Sequence, residues 1–235
     1  MSRSSDLDHF YELLEDLQTV VGGTRTLEDS SGYMDWPDQG VYFFLSENNR
    51  TAGTEERVTR IGTHAVAEGS SASLWSRLKA HQGSMNSKYG ENGGNHRGSV
   101  FRLRVGEAMI ERSDLHNAYP EWGQGSHADP AVRRQEHDHE QQVSEYIRKL
   151  PMVWLTVEDY PAPDNERAYI ERNAIALVSN YQKTTIDPRE DNWLGNASPK
   201  SEIAESGLWN VNHVEEEYDP SFLNRFEELI REMDT

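Results

Sequence analysis

The stretches GVYFFLSE (40–47) and RVTRIGTHA (57–65) decide how this chain folds. Both are rich in β-branched and aromatic residues. A segment of Asn, Gly, Thr and Glu separates them, which suits two antiparallel strands joined by a long hairpin loop. The next stretch, SASLWSRLKAHQG (71–83), changes period. Leu74 and Leu78 share one face, Arg77 and His81 stand one turn apart on the neighbouring face, and Gly83 supplies a stop, so a short half-buried helix is predicted. Farther on, PMVWLTVEDY (151–160) reads as a third, buried strand. NERAYIERNAIALVSN (165–180) then reads as a helix with Ile170, Ala174, Leu177 and Val178 on its core face and Glu171 at the edge of that face.

Two amphipathic helices bracket this frame. Residues 5–21 space Leu7, Phe10, Leu13, Leu14, Leu17 and Val21 helically before Gly22-Gly23, and residues 219–233 do the same with Phe222, Leu223, Phe226, Leu229, Ile230 and Met233. Between Gly83 and Leu150 lies a large insertion. Residues 84–97 are Gly- and Asn-rich and read as loop, residues 96–110 offer a helix through Val100, Phe101, Leu103, Val105 and Ala108, residues 113–130 return to loop chemistry, and residues 130–149 form a charged helical segment. Residues 181–206 are polar and lead to SGLWNVNHV (206–214). The expected fold is α+β, a small three-stranded antiparallel sheet flanked by helices. One domain is expected over residues 1–235, with a core at about 38–82 and 151–212 and the insertion at about 83–150.

Composition narrows the chemistry. With no cysteine, thiolate metal sites, disulfides and thiol nucleophiles are excluded. No run of about 18 apolar residues occurs and MSRSSDLDHF lacks a basic-then-apolar leader, so no membrane association and a cytoplasmic location are expected. The net charge of −18 opposes the basic footprint of most nucleic-acid-binding proteins. Five lysines among 23 basic residues, with acids spread along the whole chain, suit a halophilic protein instead. At about 1 M salt a Debye length near 3 Å screens such repulsion.

The order GVY, RIG, a helix with Arg and His four apart, a strand, a helix with Glu, and an Asn beyond it resembles the GIY-YIG nuclease superfamily, most of all its restriction-endonuclease-type branch. The resemblance implies a metal-dependent endonuclease that hydrolyses DNA phosphodiester bonds, in restriction, defence or repair, with double-stranded DNA as partner and Mg²⁺ or Mn²⁺ as cofactor. It implies that Tyr42 positions or activates water with His81 as proton partner, that Arg77 grips phosphate with its fork of donors, and that Glu171 binds the metal. The asparagine is Asn210, with Asn180 the alternative, although Asn180 also suits a helix C-cap. One position departs from the pattern: Arg60 stands where the second signature tyrosine is expected, and a guanidinium can donate to a phosphate or to Tyr42 but cannot serve as a base. A non-catalytic nucleic-acid-binding module and a protein-interaction domain are the alternative readings. The His-rich EHDHE (136–140) reads as a solvated helix face in preference to a zinc site, because helical residues two apart diverge.

Overall fold

In the computed structural model, which describes residues 2–46, 56–64, 72–160, 162 and 164–234, the chain runs through α1 (Arg3–Val21), β1 (Gly40–Ser46), β2 (Arg57–Gly62) and α2 (Leu74–Gln82). A small hairpin of β3 (Asn86–Ser87) and β4 (Gly90–Glu91) follows, then α3 (Val100–Ser113), α4 (Pro130–Gln135) and α5 (His137–Lys149). The chain continues through β5 (Met152–Thr156), α6 (Glu166–Val178), α7 (Ser201–Ser206) and α8 (Phe222–Met233). The fold is α+β. Its three-stranded sheet has the order β2-β1-β5 with both pairings antiparallel. The hairpin loop expected between β1 and β2 falls largely on 47–55, outside the described residues.

Every residue of β1 is buried. An unbroken apolar run is what a central strand needs when both faces of its sheet are covered. Val41, Phe43 and Leu45 join α1, α6 and α8 in one core, around Phe10, Ile170 and Phe226. Tyr42 and Phe44 join the other, which Leu78, Phe101, Val143 and Ile147 complete. The paired residues of β5 obey the same division, with Val153 and Leu155 on the first face and Met152 and Trp154 on the second.

Strand β2 departs from simple alternation. Phe44 pairs with Arg60 and Leu45 with Val58, so Thr59 is an extra residue on β2. This bulge lets Val58 and Ile61, three apart, enter the same core while Arg60 turns to the Tyr42 face. Without it the pleat would send Arg60 to the side of Val58. As an edge strand β2 also carries unpaired backbone groups, and the segment after α7 covers them. The Trp209 amide donates to the Thr59 carbonyl at 2.7 Å. The Asn210 side chain receives the Ile61 amide at 3.1 Å and donates to the Ile61 carbonyl at 2.9 Å.

The segment inserted between α2 and β5 forms the wall over the Tyr42 face. Residues 84–97, read as loop, include the β3–β4 hairpin, and the helix expected over 130–149 breaks at Glu136 into α4 and α5. The EHDHE stretch is not a solvated face: Glu136, His139 and Glu140 are each 2 % exposed or less. Their polarity is compensated inside. Glu136 pairs with Arg97, Glu140 binds Arg102 and the His96 amide and ring, and His139 Nε2 meets the Gly106 carbonyl at 3.0 Å. Buried charges persist when paired in this way, which is why three of these five polar residues can face inward. The polar stretch 181–206 likewise contains α7 and a 3-10 turn at Leu194–Ala197.

Candidate active site

Tyr42 projects from the middle strand and is fully buried. Its ring lies against Gly62 on β2, where any Cβ would sit 2.2 Å from the Tyr42 hydroxyl. Only glycine leaves room for the phenol there, which gives the last letter of RIG its physical meaning. From α2, His81 brings Nε2 to 2.8 Å from the Tyr42 hydroxyl. On the far side of the imidazole, Nδ1 is 2.7 Å from Ser99 Oγ, the N-cap of α3, which also accepts the Arg102 amide at 3.3 Å.

Burial holds His81 well below the ordinary imidazole range, and the positive charges of Arg77, Arg60 and Arg102 push it the same way. The ring is therefore neutral, with one N–H and one acceptor nitrogen. Either Ser99 donates to Nδ1 and Nε2 donates to Tyr42, or Tyr42 donates to Nε2 and Nδ1 donates to Ser99. In both arrangements Tyr42 and Ser99 keep their own protons and the ring stays uncharged; the two differ in hydroxyl orientation and in which imidazole nitrogen carries the N–H.

Glu171, half-buried on α6, meets the end of β2: its Oε1 accepts the Thr63 amide at 3.2 Å. Among the described residues no cation lies within ion-pair distance of this carboxylate. Burial pushes the carboxyl up, opposed in turn by Arg60, His213, the Thr63 amide and Arg77. Arg77 is also half-buried, and its buried Nε has no partner. The same two arginines thus act on His81 from one side and on Glu171 from the other. The Tyr42–His81 pair, two arginines and one carboxylate occupy one region at the Gly62–Thr63 end of β2.

The family model of the GIY-YIG domain matches residues 1–235. The chain belongs to the GIY-YIG family. No curated protein and no solved structure gives a match. Membership carries a nuclease-type function, with DNA as the substrate on which the family acts.

Within this GIY-YIG domain the remaining positions divide clearly. Arg60 donates from Nη1 to the Trp209 carbonyl at 2.7 Å and lies 5.6 Å from the centre of the Phe101 ring, so its fork braces the β2 edge and its charge is what reaches the site. Asn210 commits both side-chain ends to Ile61. Asn180 stands elsewhere, closing its own loop through the Asp187 carbonyl and the Ile186 amide. Tyr42 and His81 are wholly covered whereas Arg77 and Glu171 keep contact with solvent, so a phosphate meets the latter two first.

A hard divalent cation fits Glu171, because the carboxylate is unpaired, lies in a partly dry setting and spends only one oxygen on an amide. No group of three or more His, Asp or Glu able to hold a metal gathers among the described residues. Water and substrate oxygens would complete the shell. Sequence reading missed Ser99, Thr63 and the steric role of Gly62. The N-cap character of Ser99 before VFRL was legible, but its meeting with His81 was not, because 18 residues separate them. No helix among the described residues is long and apolar enough to cross a membrane.

Proposed function

We propose that this GIY-YIG domain is a Mg²⁺- or Mn²⁺-dependent endonuclease of the restriction-endonuclease-type branch. It cuts double-stranded DNA in defence or repair, in a cytoplasm of high salt. The observation that carries the reading is the unpaired Glu171 carboxylate set beside Arg60 and Arg77, with the Tyr42–His81 pair on the same arginines. Glu171 would hold the cation, which supplies charge to the phosphate oxygens and lowers the pKa of a bound water. Arg77 binds and orients the phosphate through the part of its guanidinium that keeps contact with solvent. Tyr42 holds its proton at the site, with its hydroxyl oriented by His81 and the imidazole in turn oriented by Ser99. Arg60 contributes fixed positive charge and takes no proton.

Plasmid incubated with the protein and Mg²⁺ in concentrated KCl is expected to be nicked, and Glu171→Gln is expected to reduce nicking to background. The same substitution should abolish the Mn²⁺-dependent rise in melting temperature. Equal nicking by Glu171→Gln would falsify the assignment of Glu171. A second reading, a DNA-binding module that does not cut, is favoured by the full burial of Tyr42 together with Arg60 at the second tyrosine position. It predicts retained duplex binding with no cleavage in Mg²⁺ or Mn²⁺.

A further inference from the structure

Two grooves differ in charge from the chain around them: one carries Arg112 and Lys149 with no carboxylate among its described lining residues, and the other, with three cations, is the more basic. With 41 acidic residues against 23 basic ones, any surface cleft of this protein is expected to carry carboxylates. The more basic groove, of about 390 Å³ between the end of α2, the β3–β4 hairpin and α4, carries none among its described lining residues. It carries Lys79, Lys88 and Arg133 instead, so two of the five lysines in the chain face one groove. Both lysines are exposed.

The groove is also built to keep these charges at its mouth. Tyr89, half-buried, lies between two of them, with Lys88 Nζ 5.0 Å and Arg133 Cζ 5.1 Å from the centre of its ring. Arg133 is held by a bond from Nη2 to the Gly94 carbonyl at 2.9 Å, while its buried Nε has no partner. Apart from these side chains the walls are rich in glycine, which allows close approach to the backbone. Its position ties it to the site. Lys79 shares α2 with Arg77 and His81, and Gly98, on the groove wall, is followed directly by Ser99, the partner of His81.

We infer that this groove takes the sugar-phosphate backbone of the DNA and leads the strand toward Arg77, with Lys79, Lys88 and Arg133 on phosphates and Tyr89 as a platform for stacking or sugar contact. The occupant is nucleic acid because a flexible polyanion is complementary to a carboxylate-free cluster of cations, and because the groove shares helix α2 with Arg77. The inference rests on the nuclease reading and extends it to a substrate-positioning surface, separate from the chemistry at Glu171.

The test uses the full chain carrying Glu171→Gln, so that DNA is bound without being cut. Binding of a fluorescein-labelled duplex is followed by anisotropy as KCl is varied, with and without the additional substitutions Lys79→Gln and Lys88→Gln. These two lysines are exposed and hold up no other element, and circular dichroism checks that the fold is kept. The expected result is an affinity lower by about tenfold or more at the lower salts, and a log–log salt slope reduced in magnitude by about 2, since each lost phosphate contact removes about 0.9. Unchanged affinity and slope, in a parent that binds and a wild type that cuts, would overturn the groove and leave the nuclease reading standing. Absence of both binding and cutting in the wild type would overturn both. Displacement of the duplex by polyglutamate as effectively as by unlabelled DNA would overturn the nucleic-acid assignment.

Discussion

Ser99 shows what one side chain can decide. Its hydroxyl fixes the far nitrogen of His81: when it donates to Nδ1, Nε2 donates to Tyr42, and when it accepts from Nδ1, Tyr42 donates to Nε2. Ser99→Ala is expected to lower turnover by about tenfold to a hundredfold while leaving duplex affinity unchanged, and to shift the pH profile of cleavage; Ser99→Thr should restore most of it. A loss of affinity in parallel with turnover would instead point to a collapsed helix start. At this scale the sequence was a guide to position and a poor guide to partnership. Motif order singled out Tyr42, His81, Arg77 and Glu171, and the structure brings these four positions to one region. That Arg60 points to the Trp209 carbonyl, and that the RIG glycine is shaped by a tyrosine 20 positions earlier, required the strand register.

Among the elements, the edge of β2 is where fold and site are joined. Asn210 acts there as a substitute strand, supplying one acceptor and one donor to Ile61, next to the Gly62 that makes room for Tyr42. Asn210→Ala is expected to destabilise the protein by about 1–3 kcal/mol, because two buried backbone groups lose their partners at once. Chemical denaturation measures that loss, and cleavage assayed well below the lowered melting temperature separates it from any loss of rate. An unchanged stability with abolished cleavage would show that the side chain leaves Ile61 to act on substrate. The strands and the long helices were readable because their apolar periods are long and regular. The middle segment was not, since Glu136, His139 and Glu140 are hidden and their partners, Arg97, the Gly106 carbonyl and Arg102, come from a different part of the chain.

For the molecule as a whole, acid is the stress its interior resists least. Burial holds His81 and His139 below the ordinary imidazole range and pushes His64 down to about 4, so all three rings stay neutral when folded at pH values where an unfolded chain would protonate them. Their contribution is complete above the unfolded value of about 6.5 and is lost as pH falls from there toward each folded value. Glu140, held down at about 2 by its bonds to His96 and Arg102 against its own burial, withdraws its share below the ordinary carboxylate value. Glu171 runs the other way, since its raised carboxyl favours the protonated fold, but it is one group against four. Melting temperature is therefore expected to drop continuously from pH 7 to pH 4, and the slope near pH 6 should flatten in His139→Gln. A melting temperature independent of pH over that range would contradict the buried, neutral state of these rings. The wall built from residues 83–150 has its own corollary for anyone dissecting the protein. Because Phe101, Val143 and Ile147 complete the core on which Tyr42 rests, the chain cannot be trimmed to a minimal catalytic unit. The same stretch would furnish both the ceiling of the reaction chamber and the track for its substrate. Transplanting it between related enzymes would then carry foldability and target preference as a single heritable cassette.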